Sequence, residues 1–144
     1  MRFLRPSLLM WLTLAVVMFG NGAFRVLVLQ PRLGESLARQ LATVCGIVIV
    51  VALTLPFVRR LAHPRSRDLL KVGLLWLVLT LLFEFGMGAV SGASWETMLA
   101  DYDLGRGRLW PLALLTILVA PWLWGALLRR RGEGSEAARR PSPP

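Results

Sequence analysis

Glu84 is a carboxylate set inside an apolar run, Leu-Leu-Phe-Glu-Phe-Gly-Met-Gly, and it is the first residue of this chain whose surroundings call for chemistry. A charge near the centre of a bilayer costs roughly 2.5 to 3.5 kcal/mol on insertion scales, so such a group needs a cation, a water cavity or a proton. Intramembrane acids mark ion paths and substrate pockets. Two arginines are the natural partners, Arg25 and Arg39, and a bidentate pair with either would keep the carboxylate ionised. Asn21 lies four residues before Arg25 and shares its helix face. Downstream of Glu84, the acids Glu96 and Asp101, the aromatics Trp95 and Tyr102, and the arginines Arg106 and Arg108 crowd into a short segment. The expected binding or ion-pair cluster is therefore Asn21, Arg25, Arg39, Glu84, Trp95, Glu96, Asp101, Tyr102, Arg106 and Arg108. The competing reading is that these charges only lock helices together, with Trp95 and Tyr102 as interface anchors.

No residue set points to catalysis, metal or cofactor. His63 is the only histidine and sits in a basic loop, which excludes a bis-histidine haem site within one chain. Cys45 is the only cysteine, so there is no intrachain disulfide or CxxC pair, and its apolar surroundings suggest a small core residue. P-loop, Gly-x-Ser-x-Gly and His-Glu-x-x-His patterns are all missing.

The elements that would hold the cluster are membrane spans. Hydrophobic residues make up 56% of the 144 residues and fall in long unbroken runs, more than a soluble domain of this size needs. Spans are expected at about 7–29, 37–58, 69–90 and 109–128, each long enough to cross a bilayer. The first follows Arg2 and Arg5 and resembles a signal peptide, but Gly20 to Ala23 is a poor cleavage site, so an uncleaved helix is expected. Gln30, Pro31 and Gly34 suggest a turn, after which Glu35 and Arg39 form an i, i+4 pair of the favourable order. Counted from Lys71 at the helical rise, Glu84 lies about 20 Å along the third span, beyond its midpoint. Gly88 and Gly92 either admit a neighbouring helix or mark the end of the span. Ser94 is a plausible N-cap for a short interfacial helix from Trp95 to about Tyr102, whose first turn holds Glu96. Pro121 lies inside the last span, where its missing amide predicts a bend. The fold class is all-α: an integral membrane four-helix bundle with a short interfacial helix between spans 3 and 4. Residues 1–131 form one transmembrane domain, and 132–144, rich in Gly, Ser and Pro, are expected to be a disordered cytoplasmic tail.

Charge sets the expected orientation. The net charge is +9, which in a soluble protein would suggest nucleic acid, but in a membrane protein it reports topology. Of 17 Lys and Arg, twelve fall at the N-terminus, in the 59–71 loop and in the tail. The other five are Arg25, Arg32, Arg39, Arg106 and Arg108, and five acids, Glu35, Glu84, Glu96, Asp101 and Asp103, share their side. Both termini are thus expected in the cytoplasm of a bacterial inner (plasma) membrane, with a neutral outer half built of ten charges. Trp95 and Trp110 then fall at the outer boundary and Trp11, Trp122 and Trp124 towards the inner one. Trp76 fits neither belt and is expected between helices.

The stretch Phe83-Glu84-Phe85 to Gly92, with Ser94-Trp95, Asp101-Tyr102 and Gly105-Arg106-Gly107-Arg108-Leu109-Trp110, and with Asn21-Gly22 and Arg25 upstream, resembles a family of small bacterial four-span inner-membrane proteins. The resemblance runs to about Arg130 and implies topology, not activity. Its members often carry a histidine near Ala89 and an asparagine at Asp103. This chain has neither, which weighs against a metal or haem role. The expected function is a non-enzymatic binding or accessory component with a polar site around Glu84. The alternatives are a small transporter or channel with Glu84 as proton or cation relay, and an enzyme acting on lipid or isoprenoid head groups. Expected partners are the lipid bilayer, anionic lipids at the basic loop, and a membrane-protein partner or a second copy; nucleic acid is not expected.

Overall fold

The structure, a computed structural model, describes residues 3–62, 64–100, 102–103 and 108–139, without the side chains of Thr97 and 132–139. His63, Asp101 and Arg106 lie outside the described residues. Five helices account for the fold: α1 (Leu4–Leu33), α2 (Glu35–Arg60), α3 (Ser66–Val90), α4 (Trp95–Ala100) and α5 (Trp110–Arg139). Four of them are long and apolar enough to cross a membrane, and the short α4 lies between the third and fourth of these. The protein is an all-α four-helix bundle.

The helix ends differ from the expected ones in instructive ways. α1 does not stop at Gln30. It widens into a π-helical turn over Arg25–Leu29, where the Gln30 amide donates to the Arg25 carbonyl, and then continues through Pro31 to Leu33. Proline lacks an amide and clashes with the carbonyl four residues back, and the wider turn relieves both problems. Gly34, at φ +77°, ends the helix in a conformation that suits glycine. α3 ends in a Schellman arrangement: the Gly92 amide donates to the Ala89 carbonyl and the Ala93 amide to the Gly88 carbonyl, with Gly92 at φ +70°. Gly92 is therefore a terminator. Gly88 admits a neighbour, but that neighbour is Met98 of α4 and not another span. At its other end α3 is capped by Asp68, whose Oδ2 accepts from the Arg65 amide at 3.2 Å. α5 runs on to Arg139, past the expected end near Leu128, because the Arg, Glu and Ala that follow favour helix despite two glycines.

Around the bundle the order is α1, α2, α5, α3, with α5 packed against both α2 and α3, and α1 leaning on α2 and α3 from the far side. The starts of α1 and α3 and the ends of α2 and α5 share one end, the basic one. There Arg129 Nη2 donates to Ser66 Oγ at 2.8 Å, joining α5 to α3. The core lies towards this end. Trp76 is fully buried, donates from Nε1 to the Ser7 carbonyl at 2.8 Å, and packs its ring on Phe57 at 5.2 Å. That is the interhelical position expected for it. Gly73 sits against the Leu118 carbonyl, and Gly125 against the Leu69 side chain, so α3 and α5 meet almost backbone to backbone.

Trp11 and Trp124 also use their indoles between helices. Trp11 Nε1 donates to Thr80 Oγ1 at 3.2 Å and Trp124 Nε1 to the Val51 carbonyl at 2.8 Å, while Trp122 is exposed. Cys45 corrects an expectation. It is exposed, flanking the buried row Ala38, Ala42, Gly46, Val50 and Thr54 of α2. In a spanning helix the outward face is as apolar as the core, so apolar neighbours do not distinguish the two.

Candidate functional site

The end of the bundle away from the basic cluster is where Glu84 lies, and three elements converge on it. α3 supplies the carboxylate, the segment after α4 supplies Tyr102, and the first residue of α5 is Trp110. Tyr102 Oη donates to Glu84 Oε2 at 2.8 Å and Trp110 Nε1 donates to the same oxygen at 3.0 Å. Two neutral donors on one carboxylate oxygen fix the rotamer of the side chain.

Tyr102 is itself positioned. Its ring stacks on Phe85, the residue after Glu84, at 6.1 Å and 19° between planes, and its amide donates to the Leu99 carbonyl at 3.0 Å. Phe85 also meets Trp95 at 6.0 Å, so the aromatic row Trp95, Phe85, Tyr102 ties α4 to the end of α3. Met98 seated against Gly88 makes a second connection between the same two helices.

Opposite Glu84, α1 and α2 form the second wall of a cavity of about 250 Å³. Its polar lining is Asn21, Arg25, Arg39, Thr43, Glu84 and Arg108. The small residues of α2 let α1 approach at Ala42 and Gly46. Asn21 Nδ2 reaches the Ala42 carbonyl at 2.9 Å, and Met18 lies against Gly46. That carbonyl already has a helical partner, and its second lone pair takes the amide. Arg39 pairs with Glu35 on its own helix, as the i, i+4 spacing predicts. Thr43 Oγ1 donates back to the Arg39 carbonyl at 2.9 Å. Arg25 opens the π-helical turn, and such turns recur at functional sites because the extra residue re-aims the side chains around it.

Of the ten residues in the expected cluster, five line this cavity together: Asn21, Arg25, Arg39, Glu84 and Arg108. Tyr102 joins through its bond to Glu84. Trp95 and Glu96 are exposed on α4 and are not part of the lining; Trp95 touches the site only through Phe85. Asp101 and Arg106 lie outside the described residues. Trp110, expected only as a boundary anchor, is a direct ligand of the carboxylate. Its signal in the sequence was weak: an indole N–H seeks an acceptor when half-buried, but 26 residues separate it from Glu84.

Chemically the site offers one oriented carboxylate facing guanidinium groups across a cavity, a geometry suited to holding a ligand with an anionic group. Among the described residues, no group of three or more His, Cys, Asp or Glu stands together to hold a metal ion. Comparison with protein-family models, curated proteins and solved structures finds no match.

Proposed function

We propose that this protein is a binding or accessory component of the bacterial inner membrane, not an enzyme. Its polar site is the cavity around Glu84, on the outer side. The observation that carries this reading is the double hydrogen bond on Glu84 Oε2 in a cavity also lined by Arg25, Arg39 and Arg108. A charge whose only task is to lock helices has no need of open space beside it, whereas a binding residue does. The positive-inside bias supports cytoplasmic termini, with the basic end against anionic lipids of the inner leaflet. A membrane-protein partner or a second copy is the expected neighbour of the apolar outward faces.

Glu84→Gln tests the reading. The amide keeps an oxygen that can accept from Tyr102 and Trp110, so fold and abundance should hold, while the molecules retained through purification in mild detergent change. A fall in abundance that is restored by adding Arg25→Gln or Arg39→Gln would identify a charge lock and overturn the binding role.

A further inference from the structure

Below the polar cavity, a second one of about 390 Å³ lies between α1 and α3 and reaches in to α5. Apart from Glu84 and Thr80 its lining is apolar, with Trp11, Leu14, Phe19, Phe83, Met87 and Ile117 among it. Its volume is that of a small-ligand site. The cause lies in how α1 packs. Near the basic end α1 is tied to α3 by Trp76 to Ser7, Trp11 to Thr80, and the edge contact of Trp11 with Phe83 at 6.5 Å. Further along, α1 is drawn to α2 by Asn21 on Ala42 and Met18 on Gly46. Pulled to α3 at one end and α2 at the other, α1 leaves a cleft beside α3. Phe19, Phe83 and Met87, which line it, are 74%, 52% and 53% exposed, so its mouth opens sideways, to the lipid.

The two cavities meet along Met18, Glu84, Trp110 and Ala113, which line both. An apolar channel open to lipid thus joins a polar chamber lined by three guanidiniums and one carboxylate. Arg25 has no side-chain hydrogen bond or ion pair among the described residues, although it is half-buried in a spanning helix. A guanidinium at that depth needs an anion.

We propose that the two cavities form one site for a single-chain amphiphile with a phosphate head group. The chain lies in the α1–α3 cleft, and the phosphate lies at Arg25 with Arg39 and Arg108 around it. The proposal rests on the binding role of the Glu84 site and names its ligand class. Guanidinium groups match phosphate oxygens in bidentate fashion, which favours phosphate over a neutral head group. Lysophosphatidic acid, one acyl chain on a glycerol carrying a phosphate monoester, is the simplest molecule of this class. One cleft of this volume favours one chain over two.

The test uses the full chain in nanodiscs of phosphatidylcholine, with lysophosphatidic acid carrying a diazirine in its acyl chain as probe. Photolysis and peptide mass spectrometry should place adducts at Phe19, Phe83 or Met87. Unlabelled lysophosphatidic acid should compete them away, and Arg25→Gln should reduce them at least fivefold. Ala113→Phe, which fills the junction, should do the same, and Met87→Trp at the mouth provides a second blocking variant should Ala113→Phe fail to fold. Equal labelling by a monoacylglycerol probe of the same chain would overturn the proposal, as would adducts confined to the outward Leu9 and Leu12. Competition by inorganic phosphate as effective as that by the unlabelled lipid would overturn the amphiphile and leave the polar site standing. None of these outcomes depends on the Glu84→Gln result, so failure of the ligand class is distinguishable from failure of the binding role.

Discussion

Removing one donor from Glu84 at a time measures how firmly the site is built. Tyr102→Phe deletes only the hydroxyl that donates at 2.8 Å, and Trp110→Phe deletes the indole N–H that donates at 3.0 Å, with some loss of ring volume. Hydrogen bonds to charged groups contribute about 1.5 to 3 kcal/mol in soluble proteins. In membrane proteins, double-mutant cycles average about 0.6 kcal/mol with a maximum near 1.7. Glu84 is half-buried and borders two cavities, so water can replace a lost donor, and the lower scale applies. The expected coupling of each donor to Glu84 is about 1 kcal/mol. It is read from a cycle of Tyr102→Phe with Glu84→Leu, and of Trp110→Phe with Glu84→Leu, by reversible unfolding in bicelles. Because both donors share one oxygen, the double donor variant should cost more than the sum of the two single variants: in each single variant the remaining donor shortens and strengthens its bond, and the double variant loses that compensation. Couplings within the ~0.3 to 0.5 kcal/mol scatter of independent sites, for both donors, would refute the claim that they organise the carboxylate.

Two glycine substitutions should separate rigid from yielding contacts. Gly73→Ala drives a methyl into the Leu118 backbone carbonyl and should destabilise by about 1 to 3 kcal/mol, as overpacking does, whereas Gly46→Ala meets the flexible end of Met18 and should cost less than that. Comparing their unfolding midpoints decides it, and equal losses would refute the distinction. For orientation, an alkaline phosphatase fusion after Arg131 should be inactive and a green fluorescent protein fusion bright; the reverse pair would place the basic end outside.

Much of the bundle was legible because lipid imposes it. Four apolar runs of spanning length have to be helices, since no other single-chain segment satisfies its own backbone there. Polar residues inside those runs were equally visible, which is why Asn21, Arg25, Arg39, Glu84 and Arg108 could be grouped from their positions before any geometry and are found lining one cavity. Three features were not legible. Pro31 read as a stop, because the sequence does not show that a π-helical turn can absorb it. Cys45 read as core, because hydropathy cannot tell a lipid-facing position from an inward one. Trp110 read as an interface anchor, because its bond to Glu84 depends on how the long connection folds back, which no local pattern encodes.

The distribution of small and large residues explains why the two halves of the bundle differ. Towards the basic end, Gly73 admits the Leu118 backbone, Gly125 takes the Leu69 side chain and Trp76 fills the centre, so α3 and α5 close on each other there. Towards the other end, the small residues Ala38, Ala42 and Gly46 of α2 draw α1 in, and the cleft this leaves beside α3 stays open between the large side chains of Trp11, Phe19, Phe83 and Met87 that line it. Packing in lipid gains little from hydrophobicity and depends on close contact, so a half without that fit should persist only if something else fills it. Glu84, held by Tyr102 and Trp110 at the boundary between the two cavities, is where that filling molecule would be recognised.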